Sequence, residues 1–469
     1  MSDELIGKKL NKGVSTIEIL IAFMVLTLCI GAVILLNFSN QSISTNIENR
    51  MTALALAQEL LAGTRSKIYA DQKNCGDSTP CSGVNDQFFH KKINIDTRTI
   101  TECAKNITSS ITWQIESRPL SFELETRIAD FDTAIAMAGD CATLPPDSNW
   151  NNPEKTTSVD TNPALLKATG LDEKNGFVYM SVDPSLATDP DFFIFNAEIP
   201  ATQIATLNTG PGLSAVDVAG SYAYVANDSK NGQLQIIDIS DPYHPILKTT
   251  VNVLPSGTDV NSVGNKVFYY DSKIYLGLKK NNYAEFYVID TIDLNILGSY
   301  EVGASINAIY VKNNYAFIAT PNTEELSVID VNPSSSKFMK RVGGFDAPAG
   351  SGNGKSLQII GDTLYLGRTV GNEEFYILNI ENPTTPLVLG SYDVNSSIND
   401  LVVVGEYAFL ITGLTGNELQ ILDIANPENI TLVGKYNFTD KSTNLDYAND
   451  KLFISSENQD ALIISKPTP

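Results

Sequence analysis

The stretch GSYAYVANDSKNGQLQIIDISDPYHPILKTTV, Gly220 to Val251, decides how the larger part of this chain folds. A two-residue turn at Gly220 and Ser221 leads into the alternating run YAYVAN. A second apolar run, LQIID, follows; Asp-Pro then breaks it, and ILKTTV alternates again. Short runs rich in β-branched and aromatic residues, bounded by Gly, Pro, Asn and Asp, predict antiparallel strands joined by tight turns.

The central phrase recurs as FFIFNAEIP, FYVIDTIDLN, LSVIDVNPSS, FYILNIENPTTP and LQILDIANPENI, and in reduced form as ALIISKP. Its anchor positions are Asn196, Asp238, Asp290, Asp330, Asn379, Asp423 and Ser465, at intervals of 42, 52, 40, 49, 44 and 42 residues. Companion strands such as DSKIYLGL, NNYAFIAT and GEYAFLIT precede each phrase, and strands such as PLVLGSYDV follow it. This period, filled with short strands and lacking a helical pattern, is that of β-propeller blades. Seven anchors give seven blades, or six if the ends are miscounted. The phrase resembles the LVIVD-type repeat of bacterial and archaeal surface propellers, over nearly all of residues 164–469.

NPALLKATG, residues 162–170, looks like the strand that follows each anchor, so the first strand is expected to complete the last blade and remove two open sheet edges. The polar, turn-rich segment SNWNNPEKTTSVDTNP, residues 148–163, reads as a linker. The repeated Asp and Asn are read as architecture: a carboxylate at a strand end accepts turn amides, and Pro242, Pro383 and Pro427 fix the corner. Tyr224, Tyr275, Tyr365 and Tyr407 are read as blade core.

The N-terminus is of another kind. A polar opening with Lys8, Lys9 and Lys12 turns at Gly13 into an apolar run, uncharged from Ile19 to Phe38. Twenty such residues make about 30 Å of helix, enough to cross a bilayer core with the lysines left in the cytoplasm. Glu18 sits at the edge of this run, where a carboxylate is costly without a partner. The segment resembles the type IV prepilin signal. That resemblance implies cleavage of a leader, residues 1–13, by a prepilin peptidase between Gly13 and Val14. It further implies an N-methylated Val14, and Glu18 as the glutamate of filament assembly. LALAQELL then resembles the close of the long helix of minor pilins and pseudopilins, and residues 110–131 alternate as strands of the small sheet that follows.

The expected fold is therefore multidomain: a pilin-like α+β part, residues 14–147, with a long transmembrane helix over 14–63 and a small antiparallel sheet, followed by an all-β propeller. Cys75, Cys81, Cys103 and Cys141 form an even set in an exported region, where disulfides are expected; three pairings are open. Cys29, within the apolar run, reads as a small core residue.

Of the 469 residues, 32 are Lys or Arg and 54 Asp or Glu, a net charge of −22. Residues 1–163 carry 14 basic and 19 acidic residues, and the remainder 18 and 35. No basic patch stands out, so nucleic acid is not an expected partner, and an acidic head mildly favours cationic or cation-bridged ones. Two histidines, and no cysteine after Cys141, leave little for metal or nucleophile chemistry. AGSGNGKS, Ala349 to Ser356, matches a relaxed phosphate loop but precedes a strand, not the helix such a loop must open. His244 reads as a solvated turn residue. No catalytic set, metal site or cofactor is indicated.

Together these readings predict a minor type IV pilin or pseudopilin displaying a propeller for adhesion or ligand binding. Its location would be single-pass in the inner or cytoplasmic membrane, then in a surface filament. Its expected partners are the prepilin peptidase, other pilin subunits, the membrane and an extracellular protein or glycan. The alternatives are a pilin-delivered propeller enzyme acting on polysaccharide and a membrane-anchored propeller outside any filament.

Overall fold

The computed structural model describes residue 24, residues 49–62, residues 89–129 apart from 102–103 and 116–117, and residues 149–467 apart from 162–166, 185, 256–261, 323, 349–351, 370, 439–440 and 458–460. Gly13, Val14, Glu18, Cys29, Cys75, Cys81, Cys103 and Cys141 lie outside the described residues. The described residues divide into two compact units.

In the first unit, residues 49–62 are helical. Ala53, Ala57 and Leu61 fall on one face and are buried, whereas Met51 is exposed. The small alanines pack with Phe89, Ile111 and Trp113. A sheet of three strands in sequence order follows, β1 (His90–Thr101), β2 (Ala104–Ile115) and β3 (Arg118–Ala129), of which residues 90–95 and 107–126 belong to this unit.

This corrects the expected fold class and location. Among the described residues the structure is nearly all β, and no helix is long and apolar enough to cross a membrane. The 14-residue helical run carries Arg50 and Glu59 and buries a single stripe, the pattern of a helix packed on a sheet. A transmembrane helix over 14–63 and a single-pass membrane location are therefore not supported. The apolar run itself, apart from residue 24, lies outside the described residues, and the finding says nothing of β-barrels.

The second unit consists mainly of a ring of seven four-stranded antiparallel sheets, built from residue 153 onward. Each blade runs from an innermost strand to an outermost one, as in blade 2: Leu213–Ala219, Tyr222–Asn227, Leu234–Asp238 and Ile246–Val251. The innermost strands of consecutive blades contact one another around the ring, and that of blade 7 (Ser442–Ala448) meets that of blade 1 (Lys167–Lys174), which closes it. Second and third strands are almost wholly buried, so they read as continuous apolar runs; the outermost strand of blade 2 alternates exposed and half-buried residues.

Closure uses a different strand from the one expected. Pro153–Val159, within the segment read as a linker, is the outermost strand of blade 7, pairing with Leu462–Pro467 from Val159↔Leu462 to Pro153↔Pro467. Residues 167–170, expected in that place, begin the innermost strand of blade 1. The strand is fixed by Trp150, fully buried against Phe409 at 4.9 Å between ring centroids.

The repeated Asp and Asn are turn formers. The Oδ1 of Asp238, Asp290, Asp330, Asn379 and Asp423 each accepts the backbone N–H two residues ahead, at 2.7–3.0 Å. Asn196 accepts that of Thr202 at 2.6 Å. Tyr224 and Tyr275 are buried, and burial pushes both phenols well above their ordinary range.

Candidate functional site: the channel mouth

Every innermost strand starts at one face of the ring, so equivalent positions come together there. The second position of the innermost strand, or its counterpart, is Thr169, Ser214, Asn265, Asn307, Lys355, Asn399 or Thr443, polar in all seven blades. These residues line a cavity of about 430 Å³. Four of them also bind the ring together. Thr169 Oγ1 donates to the Leu213 carbonyl at 2.6 Å, Asn265 Nδ2 to Ile306 at 2.6 Å, Asn307 Nδ2 to Gly354 at 2.7 Å and Asn399 Nδ2 to Ser442 at 3.1 Å, each acceptor lying in the next blade.

A second belt lies three positions deeper. Asp172 accepts the N–H of Val218 at 2.5 Å, Asp217 that of Tyr269, Gln358 that of Val403 at 2.6 Å, and Asp446 that of Glu173 at 2.6 Å. The last joins blade 7 to blade 1. Blades 3 and 4 replace the hydrogen bond with Phe268 against Tyr310, 4.8 Å between centroids.

The loops around the mouth are held from beneath by a residue preceding each third strand. Asp191, Gln233, Glu285, Glu325, Glu374 and Glu418 are all buried. Glu285 accepts the N–H groups of Asn281, Val302 and Gly303 at 3.1, 2.9 and 2.9 Å, clamping two loops with one carboxylate. Glu374 does so with Gly371 and Val394, both at 2.9 Å, and Glu418 with Gly416 and Phe438, both at 3.0 Å. Glu325 accepts from Ala347 at 2.9 Å and also pairs with the fully buried Arg368. Blade 7 has Ala461 at this place, where its outermost strand arrives from the other end of the chain. A clamp of this sort satisfies buried amides that would otherwise each cost on the order of 1–3 kcal/mol.

The charge at the mouth differs from that of the chain. Lys167, Lys266, Lys279, Lys355 and Lys441 line it, against Asp183, Asp228, Asp400 and Glu457. At the rim, Lys441 pairs with Glu457 at 2.9 Å, Lys167 with the same carboxylate at 3.8 Å, and Lys279 with Asp228 at 3.2 Å. Lys266 and Lys355 have no ion pair or hydrogen bond among the described residues. Asp400 is occupied by the N–H of Leu445 at 3.2 Å and of Leu401 at 3.0 Å. Enclosure within the ring pushes the Lys266 ammonium below its ordinary range; Asp400 draws it back up and Lys355 pushes it further down. The same enclosure pushes the Asp400 carboxyl up, against the pull of Lys266.

The anchors Asn196, Asp238, Asp290, Asp330, Asn379 and Asp423 are not part of this site, because each third strand starts at the mouth and ends on the opposite face. His244 is on that opposite face too, exposed and 2.8 Å from Asp241. The segment matching a relaxed phosphate loop opens an innermost strand, Gly354–Ile360, and supplies Lys355 and Ser356 to the mouth. Among the described residues no three His, Cys, Asp or Glu are grouped to hold a metal ion. Residue-by-residue reading missed the lysines because they are far apart along the chain, and the clamps because an acid before an apolar run looks solvated.

Residues 213–253, 305–343, 351–394 and 397–438 match the family model of the LVIVD repeat. These four blades are LVIVD repeats. They are blades 2, 4, 5 and 6, so the match is narrower than a resemblance over nearly all of 164–469. No curated protein matches the chain. Among solved structures, the computationally designed protein Ika8 is similar at 11% identity, over 67% of this chain and 100% of that one, with a TM-score of 0.48. Sqt1 of Saccharomyces cerevisiae is similar at 14% identity, over 64% and 83%, with a TM-score of 0.42. KlHsv2 with its loop 6CD replaced by a Gly-Ser linker is similar at 11% identity, over 62% and 90%, with a TM-score of 0.44. The sheet order itself defines the seven-bladed ring.

Proposed function

We propose that the LVIVD-repeat propeller is a ligand-binding head whose site is the channel mouth, and that it binds without turnover. The observation that carries this is the seven-membered polar ring lining a single open concavity, over loops clamped by buried carboxylates. A preformed, rigid and polar concavity suits recognition of a small polar ligand or the end of a larger one. Extracellular glycan or protein remains the expected partner class.

The test is binding of the full chain to a panel of neutral and acidic glycans and to surface proteins, compared with a Ser214→Trp variant that fills the mouth. Binding lost in the variant at unchanged melting temperature supports the reading. Binding that survives the plug, or product released from any panel member, overturns it.

A role as a minor filament subunit, with the prepilin peptidase and other pilin subunits as partners, rests on Gly13, Val14 and Glu18 and their resemblance to the prepilin signal. Intact mass and N-terminal sequencing of protein from sheared filaments test it. A methylated Val14 start supports the role, and an uncut Met1 start overturns it.

A further inference from the structure

Three features stand apart from the architecture of the ring. The Glu325 and Arg368 pair is fully enclosed and uses its hydrogen bonds on neighbouring loops, so it is structural. The apolar outermost-strand residues Leu387, Val388, Leu389 and Leu432 are exposed, but nothing shows what would cover them. The third feature is the pair of unpaired lysines in the mouth of an otherwise strongly acidic protein.

We infer that the mouth takes an acidic sugar, its carboxylate held by Lys266 and Lys355 and its hydroxyls by the ring of amides and hydroxyls around them. The inference rests on the mouth being the binding site and names what it binds. A chain of net charge −22 that keeps two cations unpaired in the cavity its seven blades share holds them in a place where long-range repulsion of anions is locally reversed. Asp400 cannot neutralise both, and its carboxylate is already engaged by two backbone N–H groups. An anion arriving between the lysines relieves the repulsion of Lys266 by Lys355.

The surrounding ring argues for a sugar over a bare carboxylate. Asn265, Asn307 and Asn399 each spend an amide N–H on the next blade, leaving the amide oxygen as an acceptor at the cavity wall. Ser214 adds a hydroxyl that can donate or accept. Acceptors beside cations match a ligand with hydroxyl donors next to its charge. An aliphatic acid would leave those acceptors unmatched. A volume of about 430 Å³ accommodates a ligand of one or two rings.

The experiment is calorimetric titration of the full chain with digalacturonate and a glucuronate-containing disaccharide, with the methyl ester of each, and with acetate. At least one uronate is expected to bind about tenfold or more tightly than its ester and than acetate, and Lys355→Met is expected to remove that preference. Lys337→Met, on the opposite face, is expected to leave it unchanged. Lys266→Met is the second variant, read only if its melting temperature is preserved. Esters binding as well as acids would overturn the anion assignment, while Ser214→Trp sensitivity would keep the mouth as the site. Acetate binding as tightly as a uronate would overturn the sugar assignment. No uronate binding, with a neutral glycan still lost in Ser214→Trp, sinks this inference alone. Failure of the whole glycan and protein panel sinks the binding reading as well.

Discussion

The indole N–H of Trp150 donates to Oδ1 of Asp450 at 3.1 Å, across 300 residues of sequence. Asp450 belongs to the turn between the first two strands of blade 7, with φ of +60°. Trp150 thus locks the turn of the blade whose outermost strand, Pro153–Val159, it introduces, and its ring packs among blade 6 and 7 side chains.

Trp150→Ala is therefore expected to cost about 3–5 kcal/mol, the range for a fully buried large aromatic. Chemical denaturation checks it. Trp150→Phe should recover most of the packing but not the hydrogen bond, about 0.5–1.5 kcal/mol.

Glu285→Ala leaves three backbone N–H groups without the carboxylate that accepts them, so a loss of about 2–4 kcal/mol is expected. Glu285→Gln, which still accepts hydrogen bonds, should lose less. Hydrogen exchange at Val302 and Gly303 reports the local effect, rising in Glu285→Ala before global unfolding does.

Asp191 is fully buried, and burial pushes its carboxyl up to about 6 from 3.8, against hydrogen bonds from Thr209 that pull it down. A folded-state value above the unfolded one means that the native state holds the proton more tightly. The stabilisation is thus full below about pH 4 and is lost as pH rises through about 6. Asp191→Asn should remove this dependence, on the order of 3 kcal/mol, from unfolding curves taken between those limits.

Asp238→Ala removes one turn acceptor on the face opposite the mouth, for N–H and hydroxyl of Ser240. A loss of about 0.5–1.5 kcal/mol is expected. Glycan binding should be unchanged, which separates the turn formers from the mouth.

What was legible in the sequence followed the range of the interactions. The second and third strands of each blade, the turns between first and second strands and the Asx turns are local, and the repeat shows them many times over. Pro153–Val159 was not legible, because an outermost strand buries little and PEKTTSV carries no apolar alternation. The mouth was not legible either. Lys266 and Lys355 become neighbours only when the ring closes, and the chain's large net charge hides so small a basic group. The clamps left a trace: an acid or amide one residue before the apolar phrase, at Gln233, Glu285, Glu325, Glu374 and Glu418. The long N-terminal helix was inferred from hydropathy alone, whereas residues 49–62 pack by one face against Phe89, Ile111 and Trp113.

The closing strand also sets how the head responds to force. The chain enters the ring at Pro153, on the face opposite the mouth, and Pro153–Val159 runs toward the mouth beside Leu462–Pro467. Tension on the chain ahead of Pro153 falls first on this seam, where one blade is held together by strands distant in sequence. Parting it would strip blade 7 of its outermost strand while the strand order of the other six blades is untouched, so the clasp, with Trp150 bonded to Asp450, is the place where the ring yields first.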